Sequence, residues 1–104
     1  MEEKEVEFIG HSLDAIKEVS ESARRRLGQQ LGRVQSGFEP TDWKPINTVG
    51  RGVKEIRVSV GGQYRLVYVV RERVYVLHVF RKKSETISKK DMEIIKSAYK
   101  EMNA

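Results

Sequence analysis

Apolar residues in the first third of the chain recur every three or four positions, which is the spacing of an amphipathic helix. Ser12 and Ser20 precede parts of this pattern, and serine is a residue type that caps helix N-termini. The pattern therefore predicts two helices, over about 12–19 and about 21–36, or alternatively one kinked helix, with a shared stripe that faces a sheet. The stripe consists of Leu13, Ile16, Val19, Ala23, Leu27, Leu31 and Val34.

Two glycines, Gly28 and Gly32, fall inside the second predicted helix. Each glycine weakens a helix by about 1 kcal/mol relative to alanine. We therefore expect them to lie where the helix packs closely against the sheet. Gly37 is expected to end the helix, and residues 39–45 read as an ordered loop.

The remaining apolar residues follow strand patterns. Residues 6–9 form a short strand candidate that Gly10 ends. Residues 56–60 alternate between apolar and polar side chains, which is the period of a half-buried strand. A Gly-Gly pair at positions 61 and 62 follows, and such a pair predicts a tight hairpin.

Two further segments are apolar on both faces, as expected of central strands. They cover residues 64–70, where Arg65 is the exception, and residues 74–80. After them Ser88 is expected to cap a last helix with its own apolar stripe. The predicted fold class is α+β, with the order β-α-α-β-β-β-α, a mainly antiparallel sheet, an N-terminal helical hairpin and a C-terminal helix. The length of 104 residues predicts a single domain over 1–104.

Positive charge is concentrated in the second half of the chain. Residues 1–50 carry seven Lys or Arg against nine Asp or Glu, whereas residues 51–104 carry 13 against six. A basic half suggests a polyanionic partner such as nucleic acid, although small domains also carry such charge for solubility.

Composition argues against several other classes of protein. The chain has no cysteine and only two histidines, His11 and His78, far apart in sequence. We therefore expect no disulfide framework, no metal centre and no cofactor. The acidic residues 2–5 lack the apolar region of a signal peptide after them, and no apolar run suits a membrane span. We expect a cytoplasmic protein without a membrane partner.

Three segments in order resemble one family. They are GRGVKEIRV at 50–58, QYRLVY at 63–68 and VLHVFRKKS at 76–84, and QSG at 35–37 and WKP at 43–45 also fit. Together they resemble the phage-derived HigB-like toxins, a branch of the RelE/ParE superfamily. The resemblance covers nearly the whole chain and supports the RelE-like fold.

The resemblance implies the toxin of a type II toxin–antitoxin system. Such toxins are metal-independent endoribonucleases, or mRNA interferases, that cleave mRNA on translating ribosomes. The implied partners are mRNA, the ribosome and a cognate antitoxin, often a helix-turn-helix protein, which forms a hetero-oligomer with the toxin.

Metal-free RNA cleavage needs a base for the 2′-hydroxyl, cations for the phosphate and an acid for the leaving 5′-oxygen. Arg65 is the first candidate, because a charge inside an apolar strand is costly unless it is paired or faces a site. In the RelE pattern this arginine contacts the scissile phosphate. The alternative is a structural ion pair with Glu55 or with a helix acid. Strand alternation places Arg57 on the polar face of its strand. There it either binds a phosphate or is a solvated surface charge.

A basic cluster ends the last strand: Arg81, Lys82 and Lys83. By resemblance, Lys82 falls where relatives carry a catalytic Arg or Lys, whereas a charge run by itself is usually a solvated face. We expect Arg57, Arg65 and Lys82 to point into one shared concave surface. The predicted RNA-binding residues are Lys54, Arg57, Arg81 and Lys83.

His78 is the candidate for proton transfer, because the ordinary pKa of histidine is about 6.5. Its alternative is a satisfied core residue. Glu55 is a candidate base, or a salt-bridge partner of Arg57 or Arg65. Relatives often carry a Tyr or a second His after the basic cluster, and residues 84–88 here contain neither. The predicted catalytic residues are Arg65, Lys82, His78 and Glu55.

Two other functions fit parts of the sequence. A non-catalytic nucleic-acid-binding module would also need a basic half. A ParE-like toxin would poison DNA gyrase, but such toxins generally lack the cluster from His78 to Lys83. Trp43 and the four tyrosines could stack on bases, although most of them suit a core position better.

Overall fold

The computed structural model describes residues 3–104, which contain three helices and five strands. The elements in chain order are β1 (Val6–Phe8), α1 (Ser12–Glu18), α2 (Glu21–Gln35), β2 (Trp43–Pro45), β3 (Lys54–Ser59), β4 (Gln63–Val70), β5 (Val74–Lys82) and α3 (Lys89–Met102). The strands form a mixed sheet in the order β1-β5-β4-β3-β2, in which β1 is parallel to β5 and the other neighbours are antiparallel. The predicted α+β class is confirmed.

The element order differs from the prediction by one strand. The loop predicted over residues 39–45 contains β2, whose Trp43 and Pro45 pair with Ile56 and Lys54. All three residues of β2 are exposed. A three-residue strand at a sheet edge carries no alternating pattern, and proline is tolerated there because an edge N–H needs no partner. For this reason the sequence pattern resembled a loop.

Helices α1 and α2 pack on one face of the sheet. The side chains of Ile16 and Leu27 lie in a buried cluster with Ile56 and Leu66 from the strands. The predicted stripe therefore faces the sheet, except at its first residue. Leu13 is 43% exposed, so its assignment to the stripe was wrong, because α1 turns that position away from the sheet.

The predicted caps have different outcomes. Ser20 accepts a hydrogen bond from the backbone N–H of Ala23 at 3.2 Å, and it caps α2 as expected. His11 immediately precedes α1, and its side chain makes no hydrogen bond that caps the helix. Ser12 was assigned wrongly as this cap, because its hydroxyl is buried and donates to the Val76 carbonyl at 3.0 Å.

The packing reason given for the two helix glycines was wrong. A Cβ added at Gly28 or at Gly32 would meet no atom within 4 Å outside its own helix. The glycines are therefore not required by close contact with the sheet.

Helix α3 packs on the opposite face. Val67, Leu77 and Phe80 of the sheet cluster there with Ile95 and Ala98 of the helix. Ser88 caps α3 as predicted, since its hydroxyl accepts a hydrogen bond from the Asp91 N–H at 3.1 Å. No helix within residues 3–104 is long and apolar enough to cross a membrane.

A bulge in β5 changes which side chains face α3. Val67 pairs with His78 whereas Tyr68 pairs with Val76, so Leu77 is an extra residue in the ladder. Leu77 packs against α3, and His78 contacts Asp91 of the same helix. Two consecutive residues therefore point to one face, which simple strand alternation does not allow.

Candidate active site

A cleft of about 650 Å³ lies beside β5 near its C-terminal end. Strand β1 pairs only with Val74–Val76, so within the described part of the chain the outer edge of β5 has no partner strand after Val76. The end of α1 and the two residues that follow it, Val19 and Ser20, form one wall, and residues within 84–94 form the other. The early end of β1 thus opens a concave surface along the last part of β5.

His78 is held in this cleft by a carboxylate. Its Nε2 lies 2.8 Å from Oδ1 of Asp91, and its ring stacks on Phe80 with centroids 5.2 Å apart. A carboxylate only accepts hydrogen bonds, so the imidazole donates from Nε2 and Nδ1 is left as the acceptor. The histidine is 8% exposed, which makes it buried but adjacent to the open space.

Asp91 is positioned by the start of α3. The Ser88 hydroxyl donates to Asp91 Oδ2 at 2.8 Å, and it also accepts from the Asp91 backbone N–H. The cap of the helix therefore orients the carboxylate that contacts His78. A change at Ser88 would alter both the helix end and the histidine.

Four cations line the same cleft as the histidine. The predicted residues Arg81, Lys82 and Lys83 line the cleft, and Lys90 joins them from α3. The Arg81 guanidinium lies 5.9 Å from the Tyr64 ring centroid and donates to the Gly61 carbonyl at 3.4 Å. These four cations outnumber Glu18 and Asp91, the two acids of the lining, and a net positive cleft attracts phosphate groups.

The structure thus brings four of the eight predicted site residues together: His78, Arg81, Lys82 and Lys83. Sequence reasoning missed Asp91, Ser88 and Lys90. A signal for Asp91 was present, because Ser88 followed three residues later by an acid resembles a capping box. That motif indicates a helix start, however, and carries no information about a contact with His78.

Arg65 and Glu55 lie outside the cleft, and the expected open position of Arg65 was wrong. Arg65 is 3% exposed and Glu55 is 4% exposed. The Arg65 Nε lies 3.9 Å from Glu55 Oε1, and Nη1 donates to the Tyr64 carbonyl at 2.9 Å. Burial lowers the pKa of the Arg65 guanidinium, and the Glu55 carboxylate opposes that shift. This is the geometry of the structural ion pair that stood as the alternative.

Arg57 and Lys54 also lie away from the cleft, on β3. Arg57 pairs in register with Arg65, as alternation suggested, and its Nη1 lies 4.0 Å from Asp42 Oδ1. The Lys54 ammonium lies 3.3 Å from Glu39 Oε1. The expectation that Arg57, Arg65 and Lys82 share one concave surface was therefore wrong. Strand β4 separates β3 from β5, and Arg65 is covered.

Within residues 3–104 no group of three or more His, Asp or Glu side chains is arranged to hold a metal ion.

The family model described as "Phage derived protein Gp49-like" matches residues 14–100 of the chain. No curated protein matches the chain.

Proposed function

The chain belongs to the phage-derived Gp49-like family, which is of the RelE/HigB-like toxin type, and from this we propose that it is a ribosome-dependent endoribonuclease. The family is associated with the toxins of toxin–antitoxin systems, which implies an antitoxin partner. In the proposal the protein cleaves mRNA on translating ribosomes in the cytoplasm without a metal, and a helix-turn-helix antitoxin neutralises it.

The observation that carries the proposal is the His78–Asp91 pair in a cleft lined by four cations. The His78 Nδ1 takes the proton of the 2′-hydroxyl, whose oxygen then attacks the adjacent phosphorus. Asp91 stabilises the imidazolium that forms, as a carboxylate does in a hydrolase triad. These roles use the nitrogen that the contact with Asp91 leaves as acceptor.

The cations serve the phosphate. Arg81 and Lys83 bind its non-bridging oxygens, where charge grows in the transition state. Lys82 donates a proton to the departing 5′-oxygen, so the bond between phosphorus and that oxygen breaks. The products are a 2′,3′-cyclic phosphate and a new 5′-hydroxyl end.

The proposal assigns Arg65 and Glu55 to support of the sheet beneath the site. At 3% exposure the Arg65 side chain does not reach an RNA phosphate in this conformation. The sequence predicted catalytic roles for both residues. The double variant Glu55→Met/Arg65→Met distinguishes those roles from a structural one.

The test is cleavage of a defined mRNA by purified protein in a reconstituted translation reaction. Primer extension and end labelling should reveal new 5′-hydroxyl ends, which His78→Ala and Lys82→Ala should nearly abolish. Lys96→Ala is the matched control, because Lys96 is exposed on α3 and does not line the cleft. Protein dialysed against a chelator, then added to ribosomes in ordinary magnesium buffer, should keep its full rate.

Other outcomes point to the other functions. RNA binding without new ends, under conditions in which the protein arrests translation, would indicate a non-catalytic binding module. Inhibition of DNA gyrase supercoiling without any cleavage of mRNA would indicate a ParE-like toxin. Either result contradicts the proposed activity.

A further inference from the structure

Two aromatic side chains are exposed near β2, the sheet edge opposite β1. Phe38 is 59% exposed and Trp43 is 36% exposed. Phe38 follows the end of α2, and Trp43 begins β2. Large aromatic rings that remain exposed are available for contact with a binding partner.

Each of these rings has a cation beside it. The Arg33 guanidinium lies 5.9 Å from the Phe38 ring centroid, and the Lys54 ammonium lies 4.6 Å from the Trp43 ring centroid. Glu39 connects the two, because its carbonyl accepts from Arg33 Nε at 3.1 Å and its carboxylate pairs with Lys54. We call these five residues the Trp43 surface.

The composition of the Trp43 surface suits a single-stranded nucleic acid. Bases stack on exposed aromatic rings, and adjoining cations attract the phosphates between them. Its two cations, Arg33 and Lys54, outnumber its one acid, Glu39, so the surface has a net positive charge.

The edge of β2 is a poor template for an added protein strand. Pro45 has no N–H to donate, and Lys44 places a charge on the same three-residue strand. Proline and lysine are the residues that natural sheets use to prevent edge pairing. Recognition through side chains is therefore favoured over strand addition at this edge.

We propose that the Trp43 surface is a second RNA-binding site, which binds single-stranded RNA by stacking bases on Phe38 and Trp43. It is separate from the cleft, because β3 and β4 lie between β2 and β5 in the sheet. Three interstrand spacings of about 4.8 Å correspond to roughly 14 Å. Lys54, which contacts the Trp43 ring, lies on β3 and does not line the cleft.

Trp43 is the only tryptophan of the chain, so its fluorescence reports on this surface alone. The purified protein is titrated with a single-stranded 2′-O-methyl oligonucleotide, which cannot be cleaved because its 2′-oxygen is blocked. Saturable quenching is expected, and it should persist in the double variant Lys82→Ala/Lys83→Ala. An abasic oligonucleotide of the same length should quench far less.

Variants test the residues by anisotropy of a labelled oligonucleotide. Phe38→Ala and Trp43→Ala should each weaken binding about tenfold, the order expected for loss of one stacked base. Glu39→Gln should tighten binding, because it removes the acid next to the phosphates. Leu13→Ala, at another exposed apolar residue that lies outside this surface, should leave the affinity unchanged. Thermal unfolding confirms that each variant is folded.

Three results would overturn the proposal. One is equal quenching by the abasic oligonucleotide, and another is loss of quenching in the Lys82/Lys83 double variant. The third is unchanged affinity for the oligonucleotide in both aromatic variants, which would indicate that the surface binds a protein and not RNA. Because the RNA is non-cleavable and no ribosome is present, failure here is independent of failure of the proposed endoribonuclease activity.

Discussion

Arg65 of β4 and Glu55 of β3 face each other inside the fold at 3.9 Å, a separation that allows ionic attraction but not a hydrogen bond. The Arg65 Nε and Glu55 Oε2 atoms are both buried without a hydrogen-bond partner in residues 3–104. Two buried charges with incomplete hydrogen bonding depend strongly on each other, since either one alone would carry its full desolvation cost.

Glu55→Met should therefore destabilise the protein by about 3–5 kcal/mol, because it leaves the Arg65 charge buried and unpaired. The double variant Glu55→Met/Arg65→Met should recover much of this loss. Urea unfolding of the two single variants and the double variant gives the coupling energy. Equal stability of Glu55→Met and the parent would contradict the buried pair.

The same double variant distinguishes a structural role of Arg65 from a catalytic one. If Arg65 only supports the sheet, the folded double variant should cleave mRNA near the parent rate. If Arg65 contacts the transition state, as predicted from the sequence, the rate should fall about 10²–10³-fold although the protein is folded. Single-turnover cleavage on programmed ribosomes measures the difference.

Asp91→Asn should reduce cleavage by up to about 10⁴-fold, the loss that follows when a carboxylate orienting a histidine becomes an amide. The amide no longer stabilises an imidazolium at His78. Glu93→Gln is the control, because Glu93 lies on α3 but does not line the cleft. A parent rate in Asp91→Asn would remove His78 from the proposed role of base.

Tyr68 should make stability depend on pH in the alkaline range. Burial raises the pKa of its hydroxyl, and the Glu39 carboxylate adds to the shift. A tyrosine in the unfolded chain ionises near pH 10, so the contribution of Tyr68 is fully present below about pH 10 and is lost as the pH rises above it. The unfolding free energy should fall with a shallower slope in Tyr68→Phe than in the parent.

Tyr68→Phe should also cost little at neutral pH, since the buried hydroxyl has no hydrogen-bond partner within the described residues. Urea unfolding at about pH 8 and about pH 11 tests both statements, because the other three tyrosines are the same in the two proteins. Parallel pH profiles would show that the hydroxyl ionises as readily in the folded state.

Gly28→Ala should stabilise the protein by about 0.5–1 kcal/mol, because α2 gains helix propensity and the new methyl group meets no atom within 4 Å outside its own helix. Gly50→Ala should do the opposite, since its Cβ would overlap the Tyr99 ring. Thermal unfolding of the two variants provides the comparison. Destabilisation by Gly28→Ala would instead support the close packing of α2 against the sheet that the sequence predicted.

The sequence predicted the helices and the long strands because their periods of 3.6 and two residues are local properties. Helices α1 and α2 begin and end within a residue of the predicted bounds, and the Gly-Gly hairpin joins β3 to β4 as expected. The three-residue strand β2 was missed, since its pairing with β3 leaves no period in its own sequence.

The candidate site could be predicted only in part for the same reason. The sequence by itself placed His78, Arg81, Lys82 and Lys83 together, because they are close in sequence at the end of one strand. Only the tertiary structure decided that a bulge turns His78 toward Asp91 of α3, and that Arg65 is covered beside Glu55. Strand register and helix docking arise from packing between distant parts of the chain. A pattern of hydrophobic and polar residues fixes which face a residue prefers, but not which side chain it meets there.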